Sequence, residues 1–335
     1  MPLEGLFICE NLQNIILKRG RLRGRVHSVF GNACNIECDD LFMTLLSKGK
    51  KMAPMSVIVD HGGKVNFKDL NITQGLIFEF TESEICCREK NLFIDINNAK
   101  ICYLGAQWKS SNCSQHQLIE NIKIIEQGLK IHGNYQGMGP LVNILVDKLP
   151  ELELVKLHKY AFDTNIEFIR DRFIKYIHAL IEADVDGIGE ISQLVIGFGC
   201  GLTPAMDEFI SGVMVTYIYM GSYYKLNCQR IYAFNSKVIS LGLTKTTRVS
   251  AEMLKHSSVG EANEAIHDLI AAILNFNNNN NDAENHKSII RTLIEVIGYG
   301  ETSGTDTALG IYLGLRILSN LKYRRVWINE SVCRY

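Results

Sequence analysis

Over residues 197–209 the chain sets three alternate glycines, a Thr-Pro step and two adjacent acids directly ahead of an uncharged apolar run that lasts to Tyr224. This junction restricts the fold more than any other segment. Alternate glycines let a backbone turn sharply and expose its N–H groups. Thr203 is a good N-cap, and Pro204 suits the first helical position. The pattern predicts a glycine loop that delivers a helix over 204–225, with Asp207 and Glu208 in its first turns. The apolar run is too short to span a bilayer and has acids at its start, so a buried core helix is expected. A helix end of this kind can hold an anion. Gly199, Gly201 and Thr203 are the candidate contacts, and the two acids are candidates for a metal or a polar substrate.

At 335 residues the chain is long enough for two domains. The early segments 25–30, 56–59, 75–80 and 92–96 are short and β-rich, punctuated by Gly31-Asn32, Gly62-Gly63 and Asn97-Asn98. Asp60-His61-Gly62-Gly63 reads as a turn. The character changes near Trp108. Ser114 and Gln117 fit a capping box, followed by Leu118, Ile122, Ile125 and Leu129 at helical spacing. Further helices are expected at 166–181, 189–196, 250–256, 261–274, 286–297 and 305–321, with the polyasparagine run 277–281 as a loop. The expected class is α+β: a small antiparallel β-rich domain over 1–108, a sheet or a barrel, then a larger mainly helical domain over 109–335.

A net charge of −1 argues against a nucleic-acid surface. Ten cysteines form no C-x-x-C and no zinc spacing. No basic region followed by an apolar stretch opens the chain, so reduced, mostly buried thiols in a cytoplasm are expected. Cys200, inside the glycine loop, would need a base to act as a nucleophile, and no histidine adjoins it. H-E-x-x-H, G-x-S-x-G and P-loop patterns are absent, and Gly197-x-Gly199-x-Gly201 is not a dinucleotide fingerprint.

Two further segments bear on chemistry. Residues 300–306, Gly-Glu-Thr-Ser-Gly-Thr-Asp, contain Ser303, Gly304 and Asp306. Ser303 and Asp306 fit a capping box, yet two glycines and three hydroxyls exceed what a cap requires. Both readings stand. Glu301 and Asp306 would join Asp207 and Glu208 around a cation, and hard oxygen ligands suit magnesium. The segment also echoes the first: Ile-Gly-aromatic-Gly, then Thr and Asp, then a glycine in an apolar helix (Gly212, Gly310). Gly310 and Gly314 have the spacing for close helix packing. Residues 244–250 combine hydroxyls with Lys245 and Arg248 at a helix start, which suits phosphate at Thr247 and Arg248 or a plain polar cap. Thr247-Arg248 is similar to part of the Ser-Thr-Arg-Thr phosphate loop of aspartate and ornithine carbamoyltransferases.

Taken together, these blocks resemble a bacterial family, long listed as a domain of unknown function, that includes the AllH subunit of oxamate carbamoyltransferase. The family carries G-x-G-x-G-L-T-P-S-G-D-D-F, a Thr/Ser-rich helix start and a late G-x-T-S-G-x-D. These fall on residues 197–209, 246–250 and 300–306, and the resemblance spans about 197–315, more loosely the β-rich part. Here Ala205-Met206 stands for the family's Ser-Gly, and Glu208 for its second Asp.

The resemblance implies carbamoyl transfer between carbamoyl phosphate and oxamate or oxalurate within a multi-subunit assembly in allantoin nitrogen catabolism. The expected site joins Asp207, Glu208 and Asp306 as catalytic acids with Gly199, Gly201, Thr203, Thr247, Arg248, Ser303 and Gly304 as binding residues. Expected partners are a small anionic metabolite and other subunits, with no nucleic acid and no membrane. No specific cofactor follows from the sequence, magnesium being the candidate. Two alternatives stay open: a non-catalytic anion-binding or scaffold subunit, and a magnesium-dependent enzyme on another small anion.

Overall fold

The computed structural model describes residues 3–60, 62, 65–106, 113–142, 164–274 and 282–328. The expected polyasparagine loop, the His61-Gly62-Gly63 turn, the change of character at Trp108 and Cys333 fall wholly or partly outside these residues. The chain divides into two compact units. One comprises Met1–Gly105 with Ala262–Glu264, the other Ala106–Glu261 with Ala265–Tyr335.

The first unit is a nine-stranded sheet. Its strands are β1 (Leu3–Cys9), β2 (Leu22–Val29), β3 (Ala33–Cys38), β4 (Leu41–Ser47), β5 (Ser56–Asp60), β6 (Ile77–Phe80), β7 (Glu84–Cys87), β8 (Leu92–Asp95) and β9 (Lys100–Cys102). The order is β5-β4-β3-β2-β6-β7-β8-β1-β9, and an added β5–β1 pairing closes the ring. Closure removes the exposed edges that an open sheet of this size would leave. Inward side chains such as Val26, Ile36, Leu45, Val57, Phe78, Phe80, Ile85 and Ile94 form one apolar core.

Six of the nine pairings are antiparallel. β1 runs parallel to β8 and β9, and β4 runs parallel to β5. Helix α1 (Glu10–Arg19) follows β1 and buries Leu12 and Ile16, one helical turn apart. It leads to β2, which does not pair with β1; the parallel partners β8 and β9 are reached only after β2–β7 have been laid down.

The second unit is helical: α2 (Gln115–His132), α3 (Thr164–Glu182), α4 (Ile188–Ser192), α5 (Ala205–Tyr223), α6 (Cys228–Ser240), α7 (Arg248–Ser258), α8 (Glu264–Ile273, beginning at a residue of the first unit), α9 (Asp282–Ile297), α10 (Ser303–Ser319) and α11 (Leu321–Arg324). The Ser114 hydroxyl accepts the Gln117 N–H at 3.1 Å, the cap that the sequence predicts. Helix α6, absent from the expected set, has Asn227 as its cap and buries Ile231, Phe234 and Val238.

Helices α5 and α10 form the centre of this unit. Every residue of α5 from Ala205 to Gly221 is buried, as expected of a helix apolar on all sides. No described helix is long and apolar enough to cross a membrane. A Cβ at Gly212 would stand 2.2 Å from Thr307 O, and one at Gly310 2.0 Å from Phe209 O. The two backbones approach so closely that only glycine fits at either crossing point. Further along, Gly314 faces Thr216. The partners advance together along both chains, so α5 and α10 run parallel with their N-termini at one end.

Candidate functional site

The glycine loop ahead of α5 has positive φ at Gly197, Gly199 and Gly201. A Cβ at Gly197 would lie 2.3 Å from Lys245 O, and one at Gly199 2.4 Å from Ala205 N. Side chains are excluded there by both conformation and space. Residues 199–201 are exposed, Cys200 among them. Among the described residues, the N–H groups of residues 199–203 find no acceptor within the protein. They form a row of exposed donors of the kind that holds an anion.

The helix itself starts one residue later than expected. Pro204 is the N-cap of α5, and no side chain caps it. Pro204 O accepts from Asp207 N at 2.9 Å and from Glu208 N at 3.2 Å, while Met206 N donates to Phe198 O at 3.0 Å. The N–H groups of Met206, Asp207 and Glu208 are thus satisfied by backbone, and the expected Thr203 cap is not formed. The Thr203 hydroxyl lies instead 3.3 Å from that of Ser303.

Asp207 is fully buried and fully committed. Its Oδ1 accepts from Gly197 N at 2.7 Å. Its Oδ2 accepts from the hydroxyls of Thr246 at 2.5 Å and Ser250 at 2.6 Å. Burial raises its pKa, against the opposing pull of those donors. One carboxyl therefore ties the glycine loop to the start of α7. Thr247 reinforces the tie: it accepts from Ser250 N at 3.1 Å as the cap of α7 and donates to Leu202 O. Arg248 is paired with Glu252 at 3.1 Å. Thr246 and Ser250 were legible only as hydroxyls near a helix start; their carboxylate partner is distant in sequence.

The start of α10 joins the same cluster. Thr302 is its N-cap without a side-chain cap bond, so the Ser303/Asp306 capping box is not formed. Asp306 accepts from Met138 N at 2.7 Å, with the Thr302 hydroxyl as a second partner. Gly304 is buried where a Cβ would meet Val296 O at 2.0 Å, which places it against the end of α9. The Thr307 hydroxyl donates to Glu208 Oε2 at 2.8 Å across the α5–α10 seam. Burial pushes Glu208 up to about 7, with Asp306 and Asp207 adding charge repulsion. Burial also pushes Asp306 to about 7.

The structure thus brings together Gly199, Gly201, Thr203, Asp207, Glu208, Thr247, Ser303 and Asp306, with Arg248 at the adjoining helix start. The expected cation cluster fails. Both Asp207 oxygens are taken by protein donors, and among the described residues no group of three or more His, Cys, Asp or Glu is arranged for a metal ion. Met206 is fully buried, so the departure from the family pattern at that position points into the core. A segment that sequence reasoning passed over also reaches the site. Residues 133–140, Gly-Asn-Tyr-Gln-Gly-Met-Gly-Pro, lie along α10, with Asn134 N donating to the Thr305 hydroxyl at 3.0 Å and Asn134 Nδ2 to Glu301 O at 3.0 Å. Three glycines ahead of a proline were the available signal.

Comparison with known families gives two matches. The family described as oxamate carbamoyltransferase subunit AllH matches residues 195–315, and the AllH family N-terminal domain matches residues 4–101. No curated protein and no solved structure matches the chain significantly.

Proposed function

The chain belongs to the family of the oxamate carbamoyltransferase subunit AllH, and from that premise we propose that it carries a carbamoyl-transfer site for small anions. In this reading it works with other subunits, moving a carbamoyl group between carbamoyl phosphate and oxamate. The observation that carries the reading is the row of acceptor-free N–H groups over residues 199–203, set where α5, α7 and α10 all begin. Three helix N-termini and a run of backbone donors favour a phosphate or carboxylate there.

The residues divide into two roles. Asp207 is a positioning residue, because every oxygen it has is used to hold the loop against α7. Thr203 and Ser303 present hydroxyls beside the loop, and Arg248 adds a forked cation at the start of α7. Attack of the oxamate amide nitrogen on the carbamoyl carbon forms a C–N bond and breaks the C–O bond to phosphate. The amide must lose a proton in that step. Glu208, held near 7 by burial and lying beside Thr307, is the group suited to accept it.

Phosphate release from carbamoyl phosphate and oxamate by the reconstituted assembly tests this. Glu208→Gln should lower kcat by about 10²-fold or more with the assembly intact. Full activity of that variant, or release that does not require this chain, would overturn the reading.

A further inference from the structure

We propose that the hydroxyls of Thr307, Thr203 and Ser303 form a proton-handling shell around Glu208. Thr307 satisfies the acid in both its charged and its neutral form, and the Thr203–Ser303 pair carries its proton to and from solvent. The inference rests on the reading of Glu208 as the proton acceptor and assigns three positioning residues to it.

Glu208 is buried, and a buried carboxyl that changes charge must find hydrogen-bond partners in each state. Thr307, itself buried, has the geometry for both. Its Oγ1 lies 2.8 Å from Glu208 Oε2 and 3.0 Å from the carbonyl oxygen of Ser303, one turn back on α10. The hydroxyl carries one hydrogen, so it donates to one of these acceptors at a time. When Glu208 is charged, the hydroxyl donates to the carboxylate, the stronger acceptor. When Glu208 has taken a proton, its O–H donates to Thr307 Oγ1, and the Thr307 hydrogen swings to Ser303 O. Thr203 is the second hydroxyl partner of Glu208. Its Oγ1 stands 3.3 Å from that of Ser303, and both residues are half-buried. The proton taken by Glu208 therefore has a path. Glu208 gives it to Thr203 Oγ1 as Thr203 passes its own to Ser303, and Ser303 passes one to solvent. One proton leaves, and each hydroxyl ends as it began. The charged groups acting on Glu208 are Asp306 from α10 and Asp207 from its own helix, and both oppose its ionisation. From α7 the Ser250 and Ser257 hydroxyls face α5, on Asp207 and Ser211. The Thr307 and Thr203 hydroxyls favour the charged form.

The test follows the Glu208 carboxyl in the full chain, as the infrared carbonyl band of the protonated acid that Glu208→Gln removes. In parallel it follows the pH dependence of kcat for phosphate release by the reconstituted assembly. Thr307→Val, close in shape but without the hydroxyl, should raise the midpoint of both titrations by about one pH unit, the difference between a charged and a neutral hydrogen bond. Thr307→Ser should restore the wild-type midpoint. Thr203→Val should move the midpoint in the same direction and lower kcat severalfold with KM unchanged, and Thr203→Ser should recover both. If Thr307→Val does not fold, the Thr203 variants carry the test, since that side chain is half-buried. Midpoints unmoved in the valine variants, or moved equally by valine and serine, overturn this inference alone. A kcat untouched by Glu208→Gln overturns the reading beneath it, and the relay with it.

Discussion

Asp207 shows how one buried carboxyl can tie two loop segments together. Three donors from two distant segments converge on its two oxygens. Removing a donor leaves a buried oxygen short of a partner, at about 1–3 kcal/mol. Ser250→Ala and Thr246→Val should therefore each lower stability by about that amount in urea denaturation. Because both donors share one acceptor, the double variant should depart from additivity by about 0.5 kcal/mol or more. Additive losses near zero would show that Asp207 does not depend on these hydroxyls. The same network explains why an acid in the first turn of a helix need not face an anion: its oxygens already have occupants.

At the scale of elements, the parallel α5–α10 pair sets the site. Its closeness comes from Gly212 and Gly310, each lying against the backbone of the opposite helix. A methyl group at either point must push the helices apart. Gly310→Ala should cost about 1–3 kcal/mol or more, and it should loosen the Thr203–Ser303 and Thr307–Glu208 contacts with it. The check is paired: a lower denaturation midpoint together with weaker phosphate binding at residues 199–203. Loss of stability with unchanged binding would separate packing from the site. The echo between the two Ile-Gly-aromatic-Gly segments is realised as two helix starts at one end, though the loops ahead of them fold differently. Before α5 the glycines are stretched into an exposed row. Before α10 the chain enters from the end of α9, and the loop opposite Asp306 comes from residues 133–140 instead.

For the whole molecule, the buried acids make stability depend on pH in a direction unusual for carboxylates. Glu208 and Asp306 shift from 4.5 and 3.8 to about 7, and Asp207 also shifts upward. The folded chain therefore holds more protons than the unfolded chain between about pH 4 and 7. Stability contributed by these groups is full below that window and falls as pH rises through it. Thermal midpoints should drop from pH 5 to pH 8 more in wild type than in Glu208→Gln, whose neutral side chain cannot ionise. A parallel decline in both proteins would remove Glu208 as the cause.

The sequence by itself determined the class of each half, the burial of α5 and the three segments that meet at the site. Those features follow from local rules: period-two runs, helical spacing, glycine where φ is positive and an uncharged helix that must find cover. The choice between open sheet and barrel was not legible, because β1 pairs with β5, β8 and β9, and pairing over such separations leaves no local pattern. The site shows the same limit. Thr203 and Ser303 have the composition of caps, and only the approach of α10 to α5 turned them toward each other. Asp207 and Asp306 looked alike in sequence. The tertiary structure distinguished them, since a carboxyl is defined by the donors brought to it: Gly197, Thr246 and Ser250 for Asp207, and the Met138 N–H and the Thr302 hydroxyl for Asp306.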